Sequence, residues 1–190
     1  MLDGKVSGLG LNNTAGGGNF VNNLPLVGAA VEVYATDPAS GERRGGAAHR
    51  KTIGADGRWG PFDAKPRTPY EFVIAAPGFS TTHIYRSPFP RSSDIVNLRT
   101  ERIADADKTA LAVVTLTRPR AYFTLPQDRI SLDGAAPPGI VPGVGGAAQA
   151  KLLLKDSATR AVAGEYNGER IVGRAWPAAE NHVVLLELHQ

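Results

Sequence analysis

Tyr70-Glu-Phe-Val-Ile-Ala-Ala-Pro-Gly-Phe79 decides the fold. Tyr70, Phe72 and Ile74 alternate against Glu71, the two-residue period of a β-strand, and Ala76-Pro77-Gly78 stops the run with turn chemistry. Runs of the same kind extend in both directions. Val31-Glu-Val-Tyr-Ala35 precedes it, and Arg50-Lys-Thr-Ile53 leads into the turn dipeptide Asp56-Gly57. Thr81–Arg86 and Asp94–Arg99 follow, both β-branched or aromatic and bounded by Ser and Pro. Further on, Ala110–Thr117 is the most apolar run, read as a strand buried on both faces. Ala121–Thr124, Lys151–Asp156, Ala161–Tyr166, Glu169–Trp176 and His182–Leu188 complete the set, with Asn167-Gly168 as a tight hairpin turn. Leu132–Gly146, rich in Gly and Pro, reads as loop. The best helix candidate, Glu101–Ala110, is short and polar and reads as a connector. Short strands separated by turns predict an all-β protein of two tandem sandwich-type modules, 1–100 and 110–190, joined by 101–109.

Composition narrows the function classes. The chain has 190 residues, 42% of them hydrophobic, with 22 Gly and 14 Pro. Cysteine is absent, which excludes disulfides, thiolate metal sites and a cysteine nucleophile. No apolar run is long enough for a membrane-spanning helix. A net charge of +3 is too weak a field for a nucleic-acid surface. Met1-Leu-Asp-Gly-Lys-Val6 shows no cationic stretch followed by an apolar run, so no signal peptide is read there. The expectation is a fragment of a longer chain, and a cytoplasmic protein is the alternative these residues leave open.

Catalytic signatures are missing from the pattern. No G-x-S-x-G elbow surrounds Ser7 or Ser80. His49, His83, His182 and His189 include no pair four apart and no H-E-x-x-H, so no metal site is expected. Asp3, Asp37, Asp56 and Asp63 sit in turn contexts, and Asp105 with Asp107 belongs to the connector. The Gly-rich stretch Leu9–Leu24 is not followed by a helical pattern, which argues against a phosphate loop. No cofactor is expected and the chain itself is read as non-enzymatic.

Gly4-Lys-Val6, Leu24-Pro-Leu-Val-Gly-Ala-Ala-Val-Glu-Val33, Gly54-Ala-Asp-Gly-Arg-Trp59 and Tyr70–Phe79, in that order, resemble the transthyretin-like (prealbumin-like, carboxypeptidase-regulatory-like) β-sandwich over the first hundred residues. That resemblance also brings up an isopeptide between Lys5 and Asn97 assisted by Glu71. The plainer reading makes all three solvent-facing. The chain as a whole is similar to the C-terminal region of secreted α/β-hydrolases of the lipase/esterase type. The stretches carrying this are Glu32–Arg43, Asp56–Phe62, Tyr85–Arg91 and Asn167–Pro177. This second resemblance implies a bacterial parent protein, secreted or periplasmic. The present chain would be its non-catalytic accessory region, with the α/β-hydrolase catalytic domain of the same parent chain as partner and a lipid-like substrate in reach.

Aromatic and basic residues interleave around the reversals of the first module. Trp59, Phe62, Tyr85 and Phe89 with Arg86 and Arg91 are the candidate binding residues for a catalytic domain, a lipid or a carbohydrate. Packing in the core is the first reading for Trp59 and Phe79 and the competing one for Phe89, and Trp176 reads as a strand-end rim or core residue. Asp133–Gly146 is a candidate docking segment. A free-standing carbohydrate-binding or adhesive sandwich is the alternative to the accessory region.

Overall fold

A computed structural model describes residues 1–9, 25–79, 81–86, 94–95, 98–101, 111–117, 130–132, 140–141, 148–153, 160–166, 169–175 and 182–187. The strands are Leu2–Asp3 (β1), Val6–Leu9 (β2), Ala30–Ala35 (β3), His49–Thr52 (β4), Tyr70–Ala75 (β5), Thr81–Arg86 (β6), Asp94–Ile95 (β7) and Leu98–Glu101 (β8). They continue with Leu111–Thr117 (β9), Ile130–Leu132 (β10), Ile140–Val141 (β11), Ala148–Leu153 (β12), Arg160–Tyr166 (β13), Glu169–Ala175 (β14) and His182–Glu187 (β15). Among the described residues there is no helix, and the all-β class expected from the pattern holds.

β5 organises the molecule. It runs antiparallel to β3, with Val31 opposite Ile74 and Val33 opposite Phe72. On its other side it runs antiparallel to β6, with Phe72 opposite Ile84. Alternation therefore sends Val31, Val33, Tyr70, Phe72, Ile74 and Ile84 to one face, where all are buried. A layer built on the N-terminal segment covers that face and contributes Leu2 and Val6 to the same core. The segment is held on one flank by residues 57–62: Leu2 bridges Phe62 and Lys5 bridges Arg58. On the other flank β1 pairs with β7 and β2 with β8, both in parallel. Trp59 stands between the layers, its ring edge-on to Phe72 at 5.2 Å.

The sheet does not end at β6. Its order is β11-β12-β9-β15-β6-β5-β3-β4, so strands from both sides of residues 101–109 share one eight-stranded sheet. β15 lies parallel to both β6 and β9. The opposite face of β6 and β15 is covered by the three-stranded sheet β10-β13-β14. The approach is close enough to require glycine. A Cβ on Gly173 of β14 would stand 2.6 Å from the Tyr85 ring. A Cβ on Gly41 would stand 2.8 Å from the Gly173 backbone.

Two local readings differ from the structure. Asp94–Arg99, expected as one strand, holds β7 and the start of β8, which runs on to Glu101, the first residue of the expected connector; residues 96–97 lie outside the described residues. Leu132–Gly146, expected as loop, contains β11, an Ile-Val pair too short to register as a periodicity. Leu132 itself closes β10. Ala121–Thr124, the 102–110 part of the connector and Asn167-Gly168 lie outside the described residues.

Candidate functional site

The expected aromatic contact residues are internal. Trp59 is 0% exposed and Tyr85 1%, and Phe62 is buried edge-on against Tyr70. The rings sit beside turns, as their sequence context says, but the N-terminal layer and β14 close over them. Arg86 is also buried, paired with Glu187 of β15 rather than facing a ligand. Phe89, Arg91 and Trp176 lie outside the described residues, as does most of Asp133–Gly146. His49 lies against Trp59 and Phe62, its Nε2 2.7 Å from the Trp59 carbonyl oxygen. His189 is outside the described residues.

Glu71 departs most from its reading. It was expected to face solvent and it is 0% exposed. Alternation puts it on the face of β5 away from Leu2 and Val6, so the sheet stands between it and the layer carrying Lys5. Asn97, the third member of the isopeptide reading, lies outside the described residues. Glu71 anchors a polar row across four strands. His83 Nδ1 lies 2.8 Å from its Oε1. Arg43 donates from Nε to Oε2 at 2.6 Å and from Nη2 to Oε1 at 3.1 Å, a fork matched to both carboxylate oxygens. The Arg43 guanidinium lies over the Tyr34 ring, 3.8 Å from its centroid. Tyr34 donates its hydroxyl to Glu32 at 2.5 Å, and Glu32 accepts from Arg50 Nε at 2.7 Å at the sheet edge.

Electrostatics follow from these contacts. Burial alone would raise the Glu71 pKa. The His83 and Arg43 hydrogen bonds, with the positive charge behind them, outweigh burial and hold it below the ordinary 4.5. The Tyr34 hydroxyl and then Arg50 lower Glu32. Reciprocally, Glu32 raises Tyr34. Both Glu71 oxygens are occupied, so the carboxylate ties β5 to β6 through His83 and to the 36–48 segment through Arg43. Among the described residues no group of three His, Asp or Glu side chains is placed to hold a metal ion.

Among the described residues, the turns at the two ends of the β5-β3-β4 part of the sheet differ in charge. At the end where β3 begins and β5 finishes, three turns project together: 26–29, 54–57 and 76–79. Each is closed by a backbone hydrogen bond, Ala29 to Leu26, Gly57 to Gly54 and Phe79 to Ala76. Gly28 at φ 86° and Gly78 at φ 78° occupy the left-handed positions that make two of them tight. Their tips are small and apolar. Val27 is 63% exposed, and Ala55 and Pro77 are exposed beside it, with Ala30 and Ala75 at the adjoining strand ends. Asp56 is the single charged residue of the three turns. The opposite end carries Asp37, Glu42, Arg44, Asp63, Lys65 and Arg67. Sequence reasoning passed over this apolar end because its residues are scattered over fifty positions and each alone reads as ordinary turn chemistry.

The architecture is that of a layered all-β domain whose buried ion pairs, Glu71 with Arg43 and His83 and Arg86 with Glu187, join neighbouring segments of the large sheet. The chain belongs to the lipase C-terminal domain family, whose model matches residues 1–103. No curated protein matches it. Among solved structures, a chain described as the Bacillus anthracis TIE protein is similar at 14% identity and a TM-score of 0.31. That alignment covers 98% of this chain and 33% of the other, so this chain spans about a third of the length of that protein.

Proposed function

We propose that this chain is the non-catalytic accessory region of a secreted lipase/esterase-type hydrolase, and that it works by contact with the α/β-hydrolase catalytic domain. Membership of the lipase C-terminal domain family carries this reading. The contact surface in the proposal is the apolar end formed by the three turns around Val27. Exposed apolar residues with a single acid among them suit a protein or acyl-chain contact better than a nucleic acid or a polyanion. A lipid-like substrate presented to the catalytic domain belongs to the same proposal, as does a secreted or periplasmic location for the parent protein. No helix among the described residues is long and apolar enough to cross a membrane. A transthyretin-like sandwich over residues 1–100 is part of the proposal too. The antiparallel β3-β5-β6 ladder with β1 and β2 packed on one face supports it.

The carbohydrate-binding alternative draws less support, because Trp59, Phe62 and Tyr85 are inside the core and present no stacking platform. The test is direct binding between this chain and the catalytic domain of the parent hydrolase by calorimetry, with Val27→Asp as the variant. Measurable affinity that falls at least tenfold in the variant is the expected result. Equal affinity for both proteins would move the contact away from this end, and no binding at all would remove the proposal.

A further inference from the structure

The family match ends at residue 103, but the sheet that those residues build does not. β6 is the last strand of the matched region in this sheet, and it hydrogen-bonds on one side to β5 and on the other to β15, the last described strand of the chain. β15 enters parallel between β6 and β9 and is covered on both faces. Val184 and Leu186 are fully buried beneath the second sheet, where Leu186 meets Gly173, and Leu185 packs against the first core.

Such a strand has a register problem. Val183-Val-Leu-Leu186 is apolar on both faces, so burial alone scarcely distinguishes the observed pairing from one shifted along the ladder. A charged pair does distinguish them. In the observed register Glu187 stands opposite Arg86, and the two side chains form an ion pair, 8% and 14% exposed. A shift by two residues would set Leu185 opposite Arg86 and take the carboxylate away from a buried guanidinium. A buried ion pair of this kind adds little net stability but penalises its own disruption heavily.

We propose that β15 is a clamp between β6 and β9, with its register set by the Arg86–Glu187 pair, so that the family region and the segment beyond it form one working unit. The clamp divides the sheet into a dependent part, β6, β15 and β9, and an independent part, β3 and β5.

The full chain lacks cysteine, so engineered pairs report the register cleanly. Ile84→Cys with Leu185→Cys tests the observed pairing, and Ile84→Cys with Val183→Cys tests the shifted one. With Arg86 and Glu187 intact, only the first pair should oxidise. With Arg86→Leu and Glu187→Leu added, both should. If the shifted pair stays reduced in that background, the register is set by something else and the lock is refuted. Hydrogen exchange on the full-length Glu187→Leu variant tests the clamp separately. Exchange in 81–86, 111–117 and 182–187 should accelerate together by roughly a hundredfold or more, while 30–35 and 70–75 keep their protection. Uniform loss across the sheet, or no change, would overturn it.

Discussion

Replacing Glu71 by Gln is the most informative single change to the interior. The side chain keeps its volume and loses the charge that His83 and Arg43 converge on. Three hydrogen bonds to a charged acceptor are affected, at 2.8, 2.6 and 3.1 Å. Taken one at a time each would contribute ~1.5–3 kcal/mol, but they share one carboxylate and do not add. Removing one member of a buried ionic group typically costs ~3–5 kcal/mol. The Arg43 side chain is 30% exposed and can turn partly to water, whereas His83 is 3% exposed and cannot. The lower end, about 3 kcal/mol, is therefore expected, against a total stability on the order of 5–15 kcal/mol for a domain. With a urea slope of about 2 kcal/mol/M, the unfolding midpoint followed by circular dichroism should fall by about 1.5 M at pH 7. The effect has a defined pH dependence. Glu71 is held below 4.5 in the folded state, so its contribution is complete above its unfolded value and is lost as pH falls through the folded one. The difference between wild type and variant should accordingly be flat near neutrality and shrink in acid. A variant within about 0.5 kcal/mol of wild type at pH 7, the range of an ordinary surface substitution, would refute the ionic role assigned to this carboxylate.

Three further outcomes follow from the same contacts. Trp59→Ala should cost about 3–5 kcal/mol in thermal or chemical unfolding, because the indole is fully buried between two layers. Gly173→Ala should destabilise by ~1–3 kcal/mol, since its Cβ would stand 2.6 Å from the Tyr85 ring. Gly46→Ala, with nothing within 4 Å, is its neutral control in the same melt. Asp37 should titrate at about 2 by carboxyl-carbon NMR, held down first by Arg44 and then by the Ala39 and Ser40 amides. Arg44→Ala should move it up toward 3.8, and an unchanged titration would dismiss the Arg44 contact.

Much of the fold was legible where pairing is local. Tyr70–Ala75 and Thr81–Arg86 were read with the bounds they have, because alternation and the Pro77-Gly78 turn mark them without reference to distant residues. The non-local pairings carried no such mark. Nothing in Leu2-Asp3 announces Asp94-Ile95 as its partner, and no periodicity tells that His182–Glu187 enters between β6 and β9. The same limit governed the candidate residues. Trp59, Phe62 and Tyr85 lie next to turns, so their sequence context leaves exposure open, and it is layers brought from the chain's two ends that bury them. Glu71 was misread because one polar residue in an alternating strand ordinarily faces water. The corrective signal was present in His83, two positions into the neighbouring strand, and in Val73 and Tyr85, large apolar side chains that share its face and are buried.

We propose that this chain assists a hydrolase without itself breaking bonds. The most direct measurement is ester hydrolysis by the parent catalytic domain, on short- and long-chain substrates, with and without this chain, alongside the chain assayed alone. The chain alone should turn over nothing, its addition should raise the long-chain rate, and Val27→Asp should abolish the gain. Hydrolysis by the isolated chain that vanished on replacing one side chain would contradict the proposal.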